Sequence, residues 1–237
     1  MSDRDLSLQP RLEDVRDKQS IIHTIVMFSP EEIKNHFDDS VAEIKKQFET
    51  AKYLADAGDI IGCENIWRSQ VIFIESAFDY YLHEISKCGF FNILNGKWDK
   101  TDKYDSFLIP MSEVERLIKN PESSNEISEF IISRFSREVY LSFESMRNQL
   151  NMLGIPFVEV MEKAFPKPTD KSVEYREGKD IVKDLFTRRN HIAHQLDKNH
   201  YDGAKEPISK AFVLKCIDEV DAIVSSIHSF AVEKDIE

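Results

Sequence analysis

Turn-forming residues are scarce in this chain, with 7 glycines and 8 prolines among 237 residues, about half the usual share. No Asn-Gly, Asp-Gly or Gly-Gly pair joins two alternating apolar runs into a hairpin, which excludes an all-β or α/β fold and predicts an all-α one. Cysteine is equally sparse. Cys63, Cys88 and Cys216 are far apart, odd in number and free of any C-x-x-C pairing, so a reducing cytoplasm is the expected setting. No stretch approaches the ~18 uninterrupted apolar residues of a membrane span. The N-terminal MSDRDLSLQP carries both charge signs without an apolar core, so neither membrane insertion nor export is expected. Positive charge is the last shortage. With 31 Lys and Arg against 43 Asp and Glu the net charge is −12, which speaks against coating duplex nucleic acid through a broad basic face. Any nucleic-acid contact must be local.

What is present is 41% apolar and 31% charged residues, arranged in periods of three to four. Residues 1–28 read as an N-terminal arm, with Ile21 to Met27 as an apolar lead-in, and 29–237 as a single helical-bundle domain. FSPEEI opens the first helix. Ser29 can cap it, Pro30 suits the first helical position, Glu32 completes a capping box and Phe28 can staple against Ile33. Ile33, Phe37, Val41, Ile44, Phe48 and Ala51 keep one face as far as Gly58. A second, apolar-dense helix is expected from about 59 to 88, with Gly89 as its stop. An insertion of short helices follows over about 90–170. It comprises an irregular 90–110, a capping box at 112–115, a break at Pro121, a helix at 127–135, one from Arg137 to Leu153 stopped by Gly154, and one from Pro156 to Phe165. A helix from Val173 through Gln195 and a long one after Pro207, with Ile217, Val220, Ile223, Val224 and Ile227 on one face, complete an antiparallel bundle.

Three of the seven histidines, His191, His194 and His200, fall within ten residues just after Arg188 and Arg189. Between Arg176 and Lys205, seven Lys or Arg meet five Asp or Glu, a mildly positive window in an acidic chain. Three readings fit RRNHIAHQ. In the plainest, the arginines hold the last carbonyls of a helix and the histidines satisfy local hydrogen bonds. In the second, His191 and His194 bind a metal with Asp197 or His200; adjacent guanidinium groups would repel a dication and no carboxylate is fixed on the same face, so no metal is assigned. In the third, Arg189 and His194 form a catalytic pair for RNA cleavage. Histidine exchanges protons near neutral pH, and arginine offers a permanent forked cation to a phosphate gaining charge. Neither metal nor cofactor is needed, because the RNA 2′-hydroxyl is a nucleophile already held beside the phosphate.

Arg189 and His194 are five residues apart, about 500° of helical rotation, so they do not stack; Asn190 and His194, four apart, share a face, and Asn190 can orient the imidazole. Arg188, His191, Lys198 and His200 are auxiliary or RNA-binding candidates. Two copies across a two-fold axis would bring two arginines and two histidines to one phosphate.

Arg189, Asn190 and His194 near a helix end resemble the R-x(4–6)-H motif of the HEPN superfamily, and WRSQVIFIESAFDYYL at 67–82 is similar to the early bundle helix of its RiboL-PSP-like branch. The resemblance covers about 30–88 and 173–233. It implies a helical bundle, a homodimer with a composite site, and metal-independent RNA cleavage leaving a 2′,3′-cyclic phosphate. Toxin–antitoxin, CRISPR or antiphage systems are the implied setting, with RNA and a protein partner or antitoxin as partners. The alternative is a non-catalytic module that dimerises or binds RNA or protein. Where a partner nucleotidyltransferase modifies a tyrosine two residues after the motif histidine, this chain has Leu196.

Glu75 and Asp79 lie four apart on the most apolar helix, a costly placement unless they are paired. Either they form ion pairs with Arg68 or a lysine, or one carboxylate reaches Arg188, Arg189 or His194 and fixes its orientation. Tyr80, Tyr81, Phe90, Phe91 and Trp98 lack interleaved Lys or Arg and read as core rather than as base-stacking platforms.

Overall fold

The computed structural model describes residues 27–119, 124–170 and 175–236. Among them the chain forms nine helices and no strand, as the shortage of turn residues predicts. The expected arm as far as residue 26, the break at Pro121 and the helix start at Val173 lie outside the described residues. None of the described helices is long and apolar enough to cross a membrane.

The first helix, α1 (Pro30–Asp56), starts as its sequence dictates. The Ser29 hydroxyl accepts from the Glu32 amide while the Glu32 carboxylate accepts from the Ser29 amide at 2.8 Å. Phe28 meets the ring of His36 edge-on, 4.7 Å between centroids. The buried stripe Ile33, Phe37, Val41, Ile44 and Ala51 lies against α2 (Ile60–Leu94). Gly58, at φ +85°, supplies the turn between these two helices.

The helix α2 runs past Gly89, the residue expected to stop it. The missing Cβ there makes room for packing: a methyl group at Gly89 would come within 2.7 Å of the Trp98 ring and 3.0 Å of Leu153. Phe90 and Phe91 are therefore helical and buried, and the irregular connection starts only after Leu94. Tyr81 and Trp98 join them in the core, whereas Tyr80 is exposed.

The short helices are α3 (Asp102–Asp105), α4 (Met111–Lys119), α5 (Ser124–Phe135), α6 (Phe143–Met152) and α7 (Phe157–Ala164). The helix α4 begins one residue before Ser112, with the Pro110 carbonyl accepting from Glu113 and Val114, so the expected capping box at 112–115 lies inside the helix. The helix expected from Arg137 starts instead at Phe143, because the Ser142 side chain caps it by accepting from the Ser145 amide.

Two helices close the bundle, α8 (Gly178–Gln195) and α9 (Lys210–Ile236). The face Val213, Ile217, Val220, Ile223, Val224 and Ile227 of α9 is fully buried, and α9 packs on α1, α2 and α7. The helix α8 lays Ile181, Val182, Leu185, Phe186 and Ile192 inward and rests chiefly on α2. That contact sets the acidic positions of α2 beside the arginines of α8.

Candidate active site at the end of α8

The helix α8 leaves its last turn through Leu196 and Asp197, at φ 53° and 59°. Two consecutive non-glycine residues in the left-handed region are strained, and the surroundings must hold them there. The Asp197 amide donates to the His191 carbonyl at 3.0 Å, closing the helix end. Its side chain turns inward and is 0% exposed. There Oδ2 accepts from Arg68 Nε and from Arg188 Nη2, each at 2.8 Å.

The same two arginines fasten the chain beyond the helix. Arg68 donates to the Glu206 carbonyl at 2.8 Å and Arg188 to the Pro207 carbonyl at 2.9 Å, while Glu64 approaches Arg68 at 3.2 Å. Residues 197–206 thus form a loop tied at both ends to α2 and α8. Across it Lys198 and Lys205 make a single antiparallel bridge. At its tip the Asn199 side chain accepts from the amides of Tyr201 and Asp202, each at 3.0 Å. Hydrogen bonds from the amide of Ala204 and the side chain of Asn199 hold the Asp202 carboxyl below its usual range.

The arginine–carbonyl contact of the plainest reading is therefore formed, but to the loop carbonyls of 206 and 207 rather than to the carbonyls of α8. Asp197, which the metal reading would recruit, faces two guanidinium groups. Among the described residues no three His, Cys, Asp or Glu are grouped as ion ligands.

Arg189 lies half-buried on the α2 side of α8. Its Nη1 donates to Asn190 Oδ1 at 3.1 Å, and its buried Nε has no hydrogen-bond partner among the described residues. Asn190 is thus joined to the arginine rather than to the imidazole of His194. On the facing helix Glu75 is 0% exposed, with neither carboxyl oxygen hydrogen-bonded among the described residues. Burial pushes its pKa up to about 8; Arg189 is the strongest charge pulling it back, and Asp79 pushes it further up. Burial also raises Asp79, against the pull of His83 and Arg189, and His83 Nε2 stands 3.7 Å from its Oδ1. The expected pairing of Arg68 with Glu75 does not form, because Arg68 is engaged by Glu64 and Asp197.

The His194 side chain is exposed and forms no hydrogen bond to any described residue; His191, Lys198 and His200 are exposed as well. The structure therefore gathers Arg188, Arg189 and Asn190 with acidic groups of α2 and the loop, and leaves the imidazoles facing outward. Sequence reasoning missed the anchoring role of Arg68 and Asp197. The available signals were an arginine within the most apolar helix and an aspartate two residues beyond the helix end.

A sequence model of the RiboL-PSP-HEPN family matches residues 32–233. Comparison with curated proteins and with solved structures gives no significant match. The matched span runs from the first turn of α1 to the last turns of α9 and includes every residue of the site, and on that basis the chain belongs to the RiboL-PSP-HEPN family.

Proposed function

We propose that the chain is a metal-independent endoribonuclease acting through a composite Arg/His site between two copies, with residues 29–237 as its single domain and 1–28 as an arm. The observation that carries this reading is the division of roles within RRNHIAH. Arg188 is engaged through Nη2 by Asp197 and the loop carbonyls, whereas the terminal nitrogens of Arg189 bond only Asn190 among the described residues and the His194 side chain is exposed. Family membership supports the same reading.

In the proposed reaction the 2′-oxygen attacks the adjacent phosphorus, forming a P–O2′ bond as the P–O5′ bond breaks. His194 of one copy takes the 2′-hydroxyl proton, and the protonated His194 of the other gives a proton to the departing 5′-oxygen. Arg189 from each copy binds the non-bridging oxygens as they gain charge. Asn190 holds the Arg189 guanidinium, and Glu75 and Asp79 orient it from α2. Arg188 and His191, with Lys198 and His200 of the loop, contribute to RNA binding. The setting is a toxin or antiphage system in the cytoplasm, with an antitoxin-like protein partner.

The test is RNA cleavage in EDTA by wild type, Arg189→Ala and His194→Ala. Loss of a proton-transfer group costs about 10²–10⁴-fold and loss of a donor to developing charge about 10²–10³-fold, so each variant should fall by at least ~10²-fold. Undiminished cleavage by His194→Ala would refute the assignment. In a host, expression should arrest growth and Arg189→Ala should relieve the arrest; a non-catalytic binding module predicts no difference between them.

A further inference from the structure

Between α8 and α9 lies a cavity of ≈ 320 Å³, within the range of sites that take a small organic ligand. Leu185 and Phe212 supply apolar lining, Arg188 and His191 border it from α8, and Lys215 and Glu219 border it from α9. The Arg188 guanidinium carbon stands 5.6 Å from the centre of the Phe212 ring, and the buried Arg188 Nε has no hydrogen-bond partner among the described residues. The Glu219 carboxylate is flanked by Arg176 at 3.0 Å and Lys215 at 3.7 Å. The cavity therefore combines an aromatic face, a guanidinium plane, a carboxylate acceptor and cationic donors beside it.

This is the complement of a flat heterocycle whose edge carries two neighbouring donors next to an acceptor. Guanine has that edge: N1–H and N2–H can both donate to one carboxylate, and O6 can accept from an adjacent cation. Adenine, cytosine and uracil do not present two adjacent donors beside an acceptor. Stacking on an aromatic ring or an arginine plane is how unpaired RNA bases are held. The cavity is also suitably placed. His191, on its border, precedes His194 by three residues, about 4.5 Å along the axis on the next turn of the same face, a step that the sugar of one nucleotide can span.

We propose that this cavity binds the guanine base of the nucleotide beside the scissile phosphate, giving the site a guanosine preference. The catalytic meaning rests on the endoribonuclease reading; base binding itself does not. Phe212 stacks the base, Glu219 reads its two donors and Lys215 its O6.

The four nucleoside 5′-monophosphates should be titrated calorimetrically into the full chain, both as wild type and as His194→Ala. Guanosine 5′-monophosphate should saturate both proteins and bind at least tenfold more tightly than the other three. Phe212→Leu, which keeps apolar packing but removes the stacking face, should weaken it about tenfold. Glu219→Gln should abolish the preference, and it carries the test alone if Phe212→Leu lowers the thermal midpoint. The proposal is overturned if no nucleotide saturates, if all four bind alike, or if both substitutions leave binding unchanged. Mapping of cleavage sites separates the two readings. RNA cut without a guanosine beside the break removes the base site and leaves the ribonuclease; guanosine binding without cleavage does the reverse.

Discussion

Asp197 is held between Arg68 and Arg188 with no solvent exposure. Removing one member of a buried ionic group leaves the others uncompensated, at a cost of about 3–5 kcal/mol. Asp197→Ala should therefore lower unfolding stability in urea by that amount and free the 197–206 loop to rapid amide exchange. Glu75 gives a second expectation. Its folded pKa of about 8 lies above the ordinary carboxylate value of 4.5, so the folded chain keeps a proton that the unfolded chain releases. Its contribution is complete below about pH 4.5 and is lost as pH rises through about 8. Urea midpoints measured from pH 5 to 9 should decline with pH in the wild type, and Glu75→Gln should flatten that decline. A wild-type slope equal to the variant's would show that Glu75 is ionised throughout.

At the scale of elements, local signals set where helices begin and packing sets where they end. Ser29 and Glu32 cap each other within four residues, and that reciprocal bonding was legible from spacing alone. Ser29→Ala should cost ~1 kcal/mol in thermal or urea unfolding. Gly89 shows the opposite case. A glycine after a helical run reads as a stop, but Trp98 and Leu153 occupy the space a side chain would need. Gly89→Ala should destabilise the fold by about 1–3 kcal/mol through overpacking, although alanine is the better helix former. A stabilised variant would contradict that close approach. Ser142, rather than Arg137, starts α6 for a related reason: its hydroxyl cap and the turn before it are short-range features without a periodic signature.

For the whole molecule, the proposed dimer makes a prediction that a single-copy site does not. His194→Ala chains unfolded and refolded with wild type should depress RNA cleavage more steeply than dilution does, as the square of the wild-type fraction, because a mixed dimer lacks one of the two histidines. A fall in direct proportion to the wild-type fraction, with mixed dimers demonstrated by mass spectrometry, would argue for a site complete within one chain. The acidic balance bears on this scale as well. Of the seven cations between Arg176 and Lys205, Arg188 answers Asp197 and Arg176 answers Asp184 and Glu219. Any RNA contact is therefore narrower than the sequence window.

The amino-acid order alone was enough for the helical class, the N-terminus of α1, the buried stripes of α1 and α9, and the RRNHIAH cluster. These depend on period, capping and composition, all of which act over a few residues. It did not disclose that Arg68 would meet Asp197 across 129 positions, which of the two readings of Glu75 and Asp79 would hold, that Glu75 would have no hydrogen bond among the described residues, or that a cavity would open between α8 and α9. Those features follow from how α8 settles on α2, beside α9. The buried charges are tolerated there because distant residues, brought together by apolar packing, supply the partners or the protons that desolvation demands.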